Sequence, residues 1–178
     1  MNHLIHGYLQ HVASYYRKNN KATSTQQHIR DALRPLHESY GDSLAVDFGP
    51  LALKALRDRL IAEGRWSRST INKQVGIIKR MFRWGVENEL VPPRVHQGLQ
   101  AVSGLKRGRC EARETEPVKP VPEDRVEAVL NRVSPPVAAM IELQRLTGMR
   151  PGEVVIMRRV DLDTSGKIWT YTPASHKT

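Results

Sequence analysis

The chain has 178 residues, of which 39% are hydrophobic, and its formal net charge is +10. This length permits one full domain and part of another, with enough apolar residues to bury a core. A strongly basic balance favours a polyanionic partner, while the lack of an apolar run of about 18 residues and of a signal-peptide pattern argues against a membrane or secreted protein.

The positive charge is concentrated in the front of the chain. Residues 1–110 hold 18 Lys and Arg against 8 Asp and Glu, whereas residues 111–178 hold 10 of each kind. Cys110 is the only cysteine, which excludes a disulfide framework and a cysteine-based zinc site and agrees with a reducing cytoplasm. His37 and His96 have no partners at metal-ligand spacing, so we predict no metal site.

Residues 1–103 are predicted to form a bundle of four or five helices without a strand. Thr23, Ser24 or Thr25 caps the second helix, and Pro50 opens the third. The four best-defined spans are, in chain order, about 3–17, 24–40, 51–63 and 69–88.

The fourth helix has a core face and a cationic face. Ile71, Val75, Ile78, Phe82 and Val86 recur three or four residues apart, which predicts a buried stripe. Basic residues lie on the other side, at its edge or just before the helix begins. We predict that they contact DNA phosphates, the alternative being an ordinary solvated surface. They are Arg65, Arg68, Lys73, Lys79, Arg80 and Arg83.

A composition change divides the chain into two domains. Residues 102–122 contain charges, glycines and prolines but no apolar period, which predicts a linker at 104–119 between domains 1–103 and 120–178. Acidic residues after Pro122 open a further helix that extends to about Arg132. Pro135 and Pro136 are expected to end this helix.

Arg150 lies at a predicted break between two helices. An apolar helix over 137–146 is closed by Gly148, and Pro151 suits the first turn of the next helix. A guanidinium held at such a break can present its planar fork to a carboxylate or to two phosphate oxygens. Glu153 could hold that fork from behind, and a purely structural Arg–Glu pair is the alternative.

This region carries a family resemblance. The run Thr147-Gly148-Met149-Arg150-Pro151-Gly152-Glu153-Val154, followed by Met157-Arg158 and Asp161-Leu162-Asp163, resembles the first arginine box of tyrosine recombinases, the phage-integrase family. A turn at 163–166, a predicted strand over 167–171 and then His176-Lys177-Thr178 resemble the family's hairpin and its lysine. Three motif pieces in this order and spacing make the signal specific.

The resemblance implies a fold and a chemistry. The fold is mainly α, with a helical core-binding domain followed by an incomplete α+β catalytic domain that begins with a short β-hairpin. In this family a tyrosine hydroxyl attacks a DNA phosphodiester and forms a phosphotyrosine, so no cofactor is required. Arg150 would bind the scissile phosphate, Glu153 would orient Arg150, and Lys177 would protonate the leaving 5′-oxygen. For Lys177, a solvated lysine is the alternative.

Two parts of the family's site are absent from the sequence. No histidine has an arginine three residues later, and no tyrosine follows Lys177. We therefore expect the DNA-binding portion of a recombinase that is inactive alone. The implied partners are double-stranded DNA and other recombinase subunits in a tetramer on paired sites, with no membrane. A stand-alone, non-catalytic DNA-binding regulator is the first alternative, and a helical RNA-binding protein is the second.

Overall fold

The computed structural model describes residues 1–173, which form eight α-helices and two antiparallel hairpins of two residues per strand. The prediction of a mainly α fold with a short β-hairpin is therefore confirmed. The chain divides into two compact units, Met1–Glu116 and Pro117–Thr178. The boundary between the units falls inside the predicted linker 104–119.

The first unit contains five helices and one hairpin, and three of the helices begin in ways that the sequence indicates. Pro50 and Pro93 occupy the first turns of the third and fifth helices. A backbone N–H at this position has no acceptor inside the helix, so proline, which lacks the N–H, costs no hydrogen bond there. Ser67 caps the fourth, its hydroxyl accepting from the Thr70 N–H. The elements are α1 (Asn2–Tyr15), β1 (Arg17–Lys18), β2 (Lys21–Ala22), α2 (Ser24–Tyr40), α3 (Pro50–Ala62), α4 (Arg68–Glu87) and α5 (Pro93–Gln100).

The β1–β2 hairpin contradicts the expectation that residues 1–103 contain no strand. Arg17 pairs with Ala22 and Lys18 with Lys21. The two residues between the strands, Asn19 and Asn20, have φ values of 50° and 63°. Positive φ at both central residues is the geometry of a type I′ turn, and asparagine tolerates it better than most residues. The Asn-Asn pair was the sequence signal for this hairpin.

Helix α4 is the centre of the first unit, since it contacts α1, α2, α3 and α5. The predicted stripe is confirmed at Ile71, Val75, Ile78 and Phe82, which are all buried, whereas Val86 is only half-buried. Gly85 also faces the core. A Cβ at Gly85 would lie 2.7 Å from Leu4 Cδ1, so α1 and α4 approach each other closely only because this position has no side chain.

The chain after α5 stays against the bundle. Ala112 is buried, and Leu105 and Cys110 pack on the same core. The Asn72 side chain bonds Leu105 twice, accepting from its N–H at 2.8 Å and donating to its carbonyl at 3.0 Å. The front of the predicted linker is therefore part of the first unit.

The second unit has three helices and one hairpin. Pro135 and Pro136 do not merely end α6 but occupy the first turn of α7. The predicted strand over 167–171 is reduced to Thr170–Tyr171. The predicted turn before it is present, with Asp163 accepting from the Ser165 N–H and hydroxyl. The elements are α6 (Glu123–Leu130), α7 (Pro135–Thr147), α8 (Pro151–Val155), β3 (Leu162–Asp163) and β4 (Thr170–Tyr171).

The two units differ greatly in core size. Val154 is the one apolar side chain buried in the described part of the second unit, residues 117–173, whereas the first unit buries apolar side chains from all five of its helices. Large apolar side chains such as Leu146, Val160 and Trp169 are exposed. Across residues 1–173, no helix has the length and apolar character needed to cross a membrane.

This difference predicts uneven hydrogen exchange. Burial of each large apolar side chain stabilises a fold by about 1.5–3 kcal/mol, so amides in 117–173 should exchange faster than amides in α2 and α4. Mass-spectrometric exchange on the full chain measures both regions at once. Equal protection of the two units would contradict the prediction.

Candidate nucleic-acid interface

The α7–α8 break is built from local contacts. Gly148 ends α7 in the left-handed conformation, with φ 67° and ψ 16°, and its N–H donates to the Gln144 carbonyl at 2.8 Å. The Thr147 hydroxyl donates to the Leu143 carbonyl and accepts from the Met149 N–H. Pro151 then begins α8. The predicted helix end at Gly148 and helix start at Pro151 are both confirmed.

Arg150 is the N-cap residue of α8, and Glu153 holds it at two points. The Arg150 N–H donates to Glu153 Oε2 at 3.4 Å, and Arg150 Nη1 donates to Glu153 Oε1 at 3.0 Å. The Arg150 side chain is 62% exposed and that of Glu153 is 22% exposed. The carboxylate thus covers one edge of a guanidinium that otherwise faces solvent.

The free part of the guanidinium can bind an anion. Nε and Nη2 of Arg150 have no hydrogen-bond acceptor among residues 1–173. Two adjacent N–H donors in one plane match two oxygens of a phosphate group. The pairing with Glu153 therefore orients Arg150 without consuming its capacity to bind phosphate.

Glu153 is itself held by the second hairpin. The Tyr171 hydroxyl donates to the Glu153 carbonyl at 3.0 Å, while the Tyr171 backbone pairs with Leu162. Partial burial, together with the charges of Asp161 and Glu153, raises the pKa of the Tyr171 hydroxyl. Tyr171 remains a neutral donor at physiological pH, which suits a residue that positions Glu153.

The neighbouring pair Arg158–Asp161 fixes the start of the hairpin. Arg158 donates through Nε and Nη2 to both carboxylate oxygens of Asp161, at 2.9 and 2.7 Å. These hydrogen bonds hold the pKa of the Asp161 carboxyl below its usual value. Arg158 therefore has its fork occupied, in contrast to Arg150. Lys177, the third predicted catalytic residue, lies outside the described residues.

On α4, Lys73 and Arg80 match the predicted cationic face. Both side chains are exposed, and their spacing of seven residues, two helical turns, puts them on one side of the helix. In the described part of the chain, neither makes an ion pair or a side-chain hydrogen bond. Their charges are available to a partner.

Arg68 and Lys79 have structural partners instead. Arg68, 20% exposed, forms an ion pair with Glu114 and donates to the Leu105 carbonyl at 3.2 Å. Lys79 Nζ donates to the Val102 carbonyl at 2.6 Å, and burial lowers the pKa of its ammonium group. Both side chains tie the segment after α5 to α4. The sequence could not reveal this, because their partners lie 23 to 46 positions away.

The two remaining predicted DNA contacts are intermediate cases. Arg83 forms an ion pair with Glu87, one turn along the helix, at 2.9 Å. Arg65 lies over the Trp66 ring, with its guanidinium carbon 5.5 Å from the ring centroid. Such exposed contacts are weak, so both cations can exchange them for phosphate.

Sequence reasoning missed a third basic feature, a cleft lined by Lys54, Arg57, Lys106 and Arg109. These residues come from α3 and from the segment after α5, about 50 positions apart. Neither segment alone carries a basic run longer than two residues. Only the packing of α3 beside α5 brings the four cations together.

No protein-family model, curated protein or solved structure matches this chain. Within residues 1–173, no group of His, Cys, Asp and Glu has the arrangement of a metal site. The fold and its surfaces define a basic, mainly α protein with a cationic helix face and an exposed arginine held by a carboxylate.

Substitution of Gly148 by alanine should disturb this arginine. A left-handed residue with a Cβ costs about 1–2 kcal/mol, so Gly148→Ala should lower the helix population of α7 and α8. Gly152→Ala is the matched control, since Gly152 lies inside α8 with open space around it and alanine favours a helix. Backbone NMR chemical shifts of 144–155 report both effects. Equal shifts in the two variants would refute the role of Gly148.

Proposed function

We propose that this chain is the DNA-binding portion of a site-specific tyrosine recombinase, whose intact form cuts and rejoins DNA through a phosphotyrosine intermediate. The observation that carries the proposal is the Arg150 site. Its guanidinium is exposed, held on one edge by Glu153 and free on the other. This is the geometry that a ligand of a DNA phosphoryl group requires, because charge developing on the phosphate needs a fixed cationic donor.

In this proposal each residue of the site has its own role. Arg150 binds the scissile phosphate, and Glu153 keeps the guanidinium in place. Lys177 protonates the leaving 5′-oxygen. No cofactor is needed, because the phosphotyrosine bond conserves the energy of the phosphodiester. The proposed partners are duplex DNA and other recombinase subunits, and the proposed location is the cytoplasm.

The first unit supplies the proposed affinity for DNA. Lys73 and Arg80 project from the side of α4 opposite its core stripe. Arg83 and Arg65 add two further positive charges, which make only weak contacts with Glu87 and Trp66. Contacts of this kind bind the phosphate backbone and fix register without reading sequence. Arg68 and Lys79 contribute to this surface indirectly, because they hold the segment that packs against α4.

A stand-alone DNA-binding regulator is the second candidate. It is favoured by the location of the free cations on the first unit, whose buried core does not depend on the Arg150 region. Such a protein would compete with an intact recombinase for its sites. The two candidates share duplex binding and differ in whether Arg150 affects a DNA reaction.

Replacement of Lys73 and Arg80 by glutamate should weaken duplex binding at least about tenfold at low salt, and the slope of log K against log salt should fall by about 2, one unit for each lost phosphate contact. Fluorescence anisotropy with a labelled duplex across a salt series measures both quantities. The melting temperature should stay within about 2 °C of the wild type, because neither side chain supports the fold.

Two controls make this result specific. Lys18→Glu with Arg30→Glu changes the charge equally at exposed positions of β1 and α2, and it should affect the slope less. Arg68→Gln should lower the melting temperature instead, because it removes the ion pair with Glu114. Unchanged duplex binding by the Lys73 and Arg80 variant would refute the proposed interface, and tighter binding to single-stranded or hairpin RNA than to duplex DNA would favour the RNA-binding alternative.

The 178-residue chain should form no covalent link to DNA, since none of its histidines has an arginine three residues later and none of its five tyrosines lies in the position expected of the family's nucleophile. Incubation with a nicked suicide duplex, followed by denaturing electrophoresis, tests this directly. A protein–DNA adduct that survives denaturation would show that one of the five tyrosines is a nucleophile, contrary to the proposal.

A further inference from the structure

We propose that the cleft formed by α3, the end of α5 and residues 101–109 is a second phosphate-binding site, which takes the backbone of a nucleic acid. The inference rests on the proposed function for the identity of the ligand, but on separate residues. None of Lys54, Arg57, Lys106 and Arg109 belongs to the cationic face of α4 described above.

The cleft has the charge and size of an anion site. Its volume is about 340 Å³, and four basic residues line it. No acidic residue lines it within the part of the chain that the structure describes. Lys54, Lys106 and Arg109 are exposed, so their flexible side chains can close on a ligand. An open cleft with exposed, flexible cations suits a long anion with repeated charges better than a small anion that must be enclosed.

Arg57 forms the fixed part of the site. Its side chain is only 15% exposed, and its Nη1 donates to the Ser103 carbonyl at 3.1 Å. Arg57 Nε is buried without a hydrogen-bond partner among the described residues. The nearest carboxylate oxygen, Asp58 Oδ1, is 3.8 Å away, which is beyond hydrogen-bond distance. The hydrogen bond to Ser103 therefore fixes the guanidinium at the cleft, and the Asp58 carboxylate offsets part of its charge on the Nε side.

Lys79 adds a fifth positive charge behind the cleft. Its ammonium group lies on the Val102 carbonyl, next to the Ser103 carbonyl that Arg57 binds. Burial, and then the charge of Arg57, lower the pKa of Lys79. The charges of Arg57 and Lys79 thus repel each other, and a phosphate bound beside Arg57 would offset that repulsion.

The cleft belongs to the same compact unit as the first cationic surface. Lys79 and Arg80 are adjacent in α4, about 100° apart around the helix. Lys79 faces the end of α5, whereas Arg80 is exposed. Both basic surfaces therefore belong to one compact unit, on different sides of α4.

The test is duplex binding by the full chain with Lys54→Gln and Arg109→Gln, compared with the matched control Lys18→Gln and Arg30→Gln. Both double variants remove two positive charges from exposed positions. The slope of log K against log salt should fall by about 2 for the cleft variant, and by less than half of that for the control. At low salt the cleft variant should also melt at or above the wild-type temperature, because repulsion in the cleft is reduced.

The outcomes separate this inference from the proposed function. If the cleft variant binds like the control while Lys73→Glu with Arg80→Glu loses binding, the cleft is not a nucleic-acid site and the proposed function stands. If the wild type shows no salt-dependent duplex binding, both are refuted. If inorganic phosphate, compared with chloride at equal ionic strength, stabilises the wild type but not the cleft variant, and duplex binding is unaffected, the cleft takes small phosphates and the inference is wrong.

Discussion

The buried face of α4 is the constraint on which the first unit depends. Ile71, Ile78 and Phe82 are fully enclosed by the four helices that pack around α4, and Gly85 lets α1 approach. Once this face is buried, helical geometry fixes the direction of every other side chain on α4. Lys73 and Arg80 point to solvent because the core stripe points inward.

The cations next to the core stripe have hydrogen-bond partners within the first unit, whereas those opposite it face solvent. Arg68 and Lys79 lie close enough to the bundle's edge to reach acceptors in the segment after α5. On the same side of the bundle, Arg57 of α3 donates to the Ser103 carbonyl next to the Val102 carbonyl that Lys79 reaches. The basic residues of one helix thus serve two purposes, and their angular position decides which.

The sequence predicted helices well and long-range contacts poorly. The spans of α2 and α4 follow from apolar periodicity and caps, which are local signals. The hairpin at Asn19–Asn20 also had a local signal, although the short, exposed strands had no apolar alternation to support it. The partners of Arg68 and Lys79, and the cleft around Arg57, depend on how distant segments pack. No spacing within α4 encodes Glu114 or Val102.

The conformation around Arg150 could be predicted from the sequence although the second unit has only a small core. The second unit buries little apolar surface in its described residues, and the long-range contact of Tyr171 reaches the Glu153 backbone carbonyl rather than its carboxylate, so long-range contacts contribute little to the pose of Arg150. That pose comes instead from a left-handed Gly148, from Pro151 at the start of α8, and from a carboxylate three residues on. Each of these acts over one helical turn and is specified by residue type alone. A site built from such contacts keeps its local geometry even where few apolar side chains are buried around it. For the same reason its arrangement could be predicted from the sequence.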